Sequence, residues 1–222
     1  MTPAELAGRH PRLYHVTDPA AWPGIEARGL LSAQRLVELY GHPDPAAVLR
    51  TRRPAEVRLS HPVLGEAVIN DNLPLNVASL DKALDDGLTV ADWMGMLSAR
   101  VFFWADRRAA DRLLNAKMNR GRPRLVIEID TRSLAEAHAA RLELSPINSG
   151  SSIRRAARRG LGTYTPMTAM SYDAWRRKRG RLDRLLEVTA VGGVPDLADH
   201  VISREVVTPN QKLKPHHCNG GA

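Results

Sequence analysis

The feature that most constrains this chain is the uneven spread of five short strand-forming runs among helical segments. LYHV (residues 13–16), ARVFFW (99–104), RLVIEID (124–130), RLLEVTAV (184–191) and HVISREVV (200–207) are rich in β-branched, aromatic and aliphatic residues that suit a pleated, half-buried surface. LELSPI (142–147) extends the set. The intervals between the runs vary too widely for a repeating βαβ unit, so the expected class is α+β. Caps and apolar spacing place the helices. Thr17 or Asp18 with Pro19 should start one that carries Trp22 and Ile25 and closes at Gly29. Ser32 should cap a second, AQRLVELY. Residues 76–98 keep helical spacing, 105–118 form an amphipathic helix, and 131–139 a short one. The Pro- and Arg-rich stretch 42–56 reads as loop or irregular helix, NSGSSIRRAARRGLGTYTP (148–166) as a loop, and GGVPD (192–196) as a turn. No linker interrupts the chain, which gives one domain over residues 1–207 and a disordered tail over 208–222.

Composition narrows the function. The 43% hydrophobic and 25% charged content is that of an ordinary globular protein. No apolar run approaches the ~18–20 residues that span a bilayer, and the first residues lack the apolar core of a signal peptide. A single cysteine, Cys218, rules out a disulfide framework and favours a reducing, cytoplasmic setting. Net charge is +8, carried mostly by arginine. GC-rich coding alone enriches arginine, so clustering carries the argument. Arg154-Arg155, Arg158-Arg159 and Arg176-Arg177-Lys178-Arg179 with Arg181 fall in one stretch broken by Tyr164, Tyr172 and Trp175. Cations neutralise phosphates and aromatics stack on exposed bases, so single-stranded DNA or RNA is the expected partner. There is no GxGxxG opening a helix after a strand, no P-loop, no HExxH and no GxSxG. His216, His217 and Cys218 have no fourth ligand nearby, and no metal is expected.

Three remaining segments, in order, carry a resemblance. LYHVTDPAAWPGIEARGLL ends a strand in His15, passes Thr17, and follows with a helix holding Ile25 and then Gly29-Leu30. It resembles the opening motif of ADP-ribosyltransferases of the poly(ADP-ribose) polymerase branch, and more closely that of DarT-type toxins, which modify DNA bases. ARVFFWADRRAADRLL resembles the superfamily's middle motif, a hydrophobic strand with an aromatic and then an amphipathic helix. RLLEVTAVGGVPDLADHVISREVV is similar to the glutamate-bearing strand of the DarT-type enzymes, with its Val-Pro turn and closing strand. Residues 12–17, 101–104, 148–150 and 194–195 also look like a family of uncharacterised bacterial proteins.

The resemblance implies a split antiparallel sheet with flanking helices, NAD as substrate in the cleft, no metal, and a toxin or phage-defence role that pairs with an antitoxin protein. Cleavage of NAD leaves an oxocarbenium-like ribose, which needs an anion beside it and rewards a strong hydrogen bond to the 2-hydroxyl. Glu187, an acid within the apolar run LLEVTAV, suits that role. Glu128 in LVIEID is its rival on strand context alone, and the Val-Pro turn that follows Glu187 favours Glu187. His15, and by motif Thr17, would hold the NAD, and either Phe102 or Phe103 would stack on nicotinamide, since a strand turns only one of them to the site. Arg53, beside Arg52, is a candidate for the pyrophosphate. Arg154, Arg155, Arg158, Arg159, Arg176 and Arg177 would meet the nucleic acid. Leu185 stands where enzymes that modify arginine often carry a second acid, which points away from protein arginine as acceptor. The alternatives are an RNA 2′-phosphotransferase-like enzyme that also uses NAD, and a non-catalytic nucleic-acid-binding module.

Overall fold

Apolar side chains on both faces drive the central strands inward. In RLVIEID, Leu125, Val126, Ile127 and Ile129 are all buried, and in the Glu187 strand Val188 and Ala190 are fully so. A computed structural model describes residues 1–153, 156–179 and 185–209 of the chain. Its strands are β1 Arg12–Thr17, β2 Leu30–Leu31, β3 Val57–His61, β4 Gly65–Ile69, β5 Arg100–Trp104, β6 Arg124–Asp130, β7 Leu142–Ser145, β8 Thr165–Pro166, β9 Glu187–Val191, β10 Gly193–Val194 and β11 Val201–Val207. The helices are α1 Pro3–Arg9, α2 Trp22–Arg28, α3 Ala33–Leu39, α4 Pro45–Leu49, α5 Val77–Asp81, α6 Val90–Ser98, α7 Arg107–Leu114, α8 Thr131–His138 and α9 Tyr172–Arg179. The class is therefore α+β, a large antiparallel sheet with flanking helices. No helix among the described residues is long and apolar enough to cross a membrane.

The main sheet runs β11-β6-β1-β5-β9-β7-β8, with every paired neighbour antiparallel. Its middle is its weak seam. β1 is in register with β6 from Arg12 to Thr17, but with β5 only where Tyr14 faces Trp104. Beyond that pair no ladder register joins the two strands, and the His15 ring spans to the Phe102 carbonyl instead. Two short ribbons, β3-β4 and β2-β10, stand outside the main sheet. The second is a cross-brace whose backbones approach too closely for a side chain at two glycine positions. A Cβ on Gly29 (φ +77°) would sit 2.3 Å from the Pro195 carbonyl oxygen, and one on Gly193 (φ +122°) 2.4 Å from that of Leu30. Only glycine meets both demands.

Several boundaries differ from expectation. The helical stretch 76–98 breaks into α5 and α6, because Asp86 and Gly87 both adopt positive φ between them. The helix expected over 105–118 is capped by Asp106 and ends at Leu114, followed by a short 3-10 turn. The β3-β4 hairpin fills a region without a sequence assignment and packs on α3 and α4 around Val37, Tyr40 and Leu59. Ser32 caps as expected, whereas Asp18 caps a short 3-10 turn, Pro19–Ala21, that leads into α2. The expected tail, residues 208–222, lies almost wholly outside the described residues.

Candidate active site

The seam between β1 and β5 opens into a cavity of about 270 Å³, lined by residues of β1, α2, β4, β5 and the head of β9. That volume is just below the ~300–1,000 Å³ typical of small-molecule sites, and the cavity is open to solvent on one side.

Two acids line the cavity, Asp71, which is paired with Arg122 and Arg124, and Glu187. Glu187 begins β9, opposite Trp104 on one side and Ser145 on the other, and only 3% of it is exposed. Burial pushes its carboxyl up to about 7, against the pull of hydrogen bonds from Ser149 and the charge of Arg159. Ser149 donates twice. Its backbone N–H lies 3.1 Å and 3.3 Å from the two carboxylate oxygens, and its Oγ 2.6 Å from one of them. The neighbours Asn148 and Gly150 line the cavity, so the NSG turn is a cradle for the carboxylate. Ser149→Ala deletes a bond that favours the charged form. The titration midpoint of Glu187, followed by carboxyl carbon NMR, is expected to rise above the parent value. An unchanged or lower midpoint would remove Ser149 from that role.

The cradle has its own support. Arg159 is 2% exposed and spends its donors on three carbonyls, those of Ser149 (2.9 Å), Ser151 (2.9 Å) and Ala157 (3.0 Å). Its guanidinium lies 5.7 Å from the centre of the Trp93 ring, which stacks on Tyr164 at 5.7 Å and 11°. Arg100 covers the Tyr164 ring at 4.3 Å and makes a bidentate pair with Glu143. The Tyr164 hydroxyl is buried without a hydrogen-bond partner among the described residues, and burial raises its pKa.

His15 also lines the cavity, and its Nδ1 lies 2.8 Å from the carbonyl oxygen of Phe102, bridging the seam. A carbonyl only accepts, so Nδ1 carries the proton and Nε2 of the neutral ring is a bare acceptor. Burial lowers the pKa of His15, which favours that neutral form. Phe102 and Trp104 line the cavity, whereas Phe103 is fully buried in the main core. Strand alternation separates the two phenylalanines, and Phe103 is corrected to a core residue. Thr17 is buried and donates to the Asn70 side chain, whose amide bonds the Val16 carbonyl. It shapes the wall and spends its hydroxyl there. Arg53 also lines the cavity but donates to the carbonyls of Asn70 and Val48 and to the Ser98 hydroxyl, and burial pushes it down to about 10. Arg52 is tied to the Leu73 and Leu75 carbonyls.

Arg28 was missed by sequence reasoning. It lines the cavity from the last turn of α2, donates to the Tyr40 hydroxyl, and has no carboxylate partner among the described residues. Its neighbour Gly29 was read as a helix end and as part of the Gly29-Leu30 pair of the opening motif. Glu128 lies outside the cavity, paired with Arg12 (3.4 Å) and accepting from Ser203 (2.8 Å), which settles it as a strand-to-strand tie.

The basic stretch is not one surface. Arg159 is interior, as are Tyr164 and Trp175, so none of the three meets an outside polymer. Tyr172 is half-buried under the Arg9 guanidinium at 3.6 Å. Arg158 is exposed and paired with Asp85. Arg176 and Arg177 project from α9 into solvent. Arg154, Arg155 and Arg181, like His216, His217 and Cys218, lie outside the described residues.

A search of curated proteins finds no match. A family model described as "Family of unknown function (DUF7002)" matches residues 11–201. That span holds Glu187, its Ser149 cradle, Arg159, His15 and Arg28, and the chain belongs to that family.

Proposed function

We propose that this protein transfers ADP-ribose from NAD, with the cavity at the seam as its active site. The observation that carries the reading is a buried carboxylate, held by two donors from one serine, in the wall of a cavity that also presents an aromatic face, a bare imidazole nitrogen and an arginine without a carboxylate partner. Each matches a different part of NAD. Phe102 and Trp104 offer flat surfaces to the nicotinamide. His15 Nε2 accepts from a ribose hydroxyl. Arg28 meets the pyrophosphate with a planar fork suited to phosphate. Glu187, when ionised, accepts from the ribose 2-hydroxyl and stabilises the positive charge that grows on C1 as the glycosidic bond breaks and nicotinamide departs with the bonding pair. The acceptor then bonds to C1, and its proton passes to Glu187.

The same arginines weigh against phosphotransfer. That chemistry needs several free cations around one phosphate. Arg53, Arg100 and Arg124 are committed to carbonyls or to Glu143 and Glu56, which leaves Arg28. Nucleic acid remains the proposed acceptor, now resting on Arg176 and Arg177 of α9 rather than on stacking aromatics. Losing either should weaken oligonucleotide binding and reduce its salt slope by about one.

NAD binding and nicotinamide release test the whole. A saturating ligand at a hundredfold excess over Kd stabilises the folded state by about 2.7 kcal/mol, so NAD should raise the melting temperature. Arg28→Ala should weaken NAD binding about tenfold to a hundredfold, the ~1.5–3 kcal/mol of a charge-assisted contact. No thermal shift at millimolar NAD and no nicotinamide released with any acceptor would overturn the reading.

A further inference from the structure

On the far side of the β2-β10 brace, two histidines and a carboxylate converge with nothing in the proposed reaction to occupy them. His138 ends α8, and Asp196 and His200 flank the short turn that leads into β11. One ligand atom from each lies within 4.8 Å of the others. His138 Nε2 is 2.6 Å from one Asp196 oxygen, and His200 Nε2 is 3.6 Å from the other. The two rings meet edge to face at 5.6 Å.

The state of His200 makes the cluster more than a hydrogen-bonded pair. The Ser133 hydroxyl lies 3.3 Å from the Asp130 carbonyl and 3.0 Å from His200 Nδ1, so when it donates to the carbonyl it accepts from Nδ1. In that tautomer Nδ1 carries the proton and Nε2 a lone pair. Nε2 is fully buried in a residue only 5% exposed, and it has no partner. A buried polar atom without a partner is costly, and this one faces a carboxylate. A divalent cation satisfies both. An imidazole that donates its other nitrogen to an outer-shell group is the usual setting of a histidine metal ligand.

We propose that His138 Nε2, His200 Nε2 and the Asp196 carboxylate bind a zinc-type divalent ion. Two imidazoles and one carboxylate suit zinc, and tetrahedral bonds of about 2.0–2.1 Å place ligand atoms roughly 3.3–3.5 Å apart. The present spacings to Asp196, 2.6 Å and 3.6 Å, bracket that value, and small side-chain rotations reach it. His138 shifts its Nε2 proton to Nδ1 on binding, so the neutral ligand set is reached by tautomer exchange. The Asp196 side chain is 39% exposed, which gives water the fourth position. The ion would fasten α8 to the Val-Pro turn whose backbone abuts Gly29, a structural role separate from NAD cleavage.

The test uses the full chain, stripped with a chelator and titrated with zinc by calorimetry and with cobalt by visible absorption. The expected result is one ion per chain, tetrahedral cobalt bands, and a melting temperature raised by zinc. The triple variant His216→Ala, His217→Ala and Cys218→Ala should bind as the parent does. His200→Ala should bind about 100-fold more weakly or not at all. His138→Gln, whose amide can keep the hydrogen bond to Asp196, should lose the cobalt bands while remaining folded, and it decides the matter if His200→Ala does not fold. No saturable binding, binding lost in the tail variant, or binding that survives His138→Gln would overturn the site. None of these readouts depends on transferase activity.

Discussion

Replacing Glu187 with glutamine should cost ~10²–10³-fold in NAD cleavage, the usual loss for one electrostatic stabiliser of a transition state. The same change should make the protein more stable. Below the ordinary carboxyl value of 4.5, folded and unfolded chains are both protonated at this position, and burial exacts no electrostatic cost. Between 4.5 and about 7 the unfolded chain gives up its proton while the folded one keeps it. Stability therefore falls as pH rises through that window and stays low above it. A displacement of that size corresponds to about 3 kcal/mol. Glu187→Gln escapes the cost, so at pH 8–9 its melting temperature should exceed the parent's by roughly 6–12 °C. The gain should shrink with acid and vanish near pH 4.5. For the parent, kcat/KM should rise through a midpoint near 7 as the carboxylate forms. Thermal melts across pH and nicotinamide release on the same samples check each part. A variant that is less stable at pH 8, or that keeps parental activity, would make Glu187 a structural residue.

The second large effect belongs to Arg159. Arg159→Leu leaves the carbonyls of Ser149, Ser151 and Ala157 without their donors in a buried setting. At about 1–3 kcal/mol for each unsatisfied group, less relaxation, the loss should be about 3–5 kcal/mol by urea denaturation. It should also loosen the Ser149 turn and disturb the titration of Glu187. Arg176→Ala and Arg177→Ala, from the same basic stretch, should each change stability by no more than ~0.5 kcal/mol. An Arg159→Leu protein as stable as these would contradict the buried network.

That contrast shows why part of the site was legible and part was not. Glu187 and Glu128 both drew attention as acids in apolar runs, and only the Val-Pro turn after Glu187 separated them. The strands β1, β5 and β6 were legible for the matching reason, since their apolar residues are largely buried, whereas β11 was legible from its β-branched composition alone, with Ile202 and Val206 exposed. Arg159 gave no such signal. It stands in a run of arginines, and only contacts with a turn ten residues away and with Trp93 on α6 separate it from its exposed neighbour Arg158. The β3-β4 hairpin was equally silent. VRLSH offers Val57 and Leu59 as its only apolar residues, and its turn is shaped by the His61 ring accepting from Val63 and Leu64. Phe102 and Phe103 were ambiguous in principle, because alternation gives two faces without naming which one is wet.

The glycine crossing of β2 and β10 acts as a rivet between two walls of the cleft. One residue separates β10 from the strand of Glu187, and one separates β2 from the helix of Arg28. Glu187 stands at the opposite end of β9 from the crossing, so backbone touching backbone at Gly29 and Gly193 fixes the far end of that strand against the end of α2. A side chain at either glycine would meet backbone at 2.3–2.4 Å and push the two walls apart. Gly29→Ala or Gly193→Ala should therefore disturb the Arg28 end of the cleft while leaving Glu187 in its Ser149 cradle.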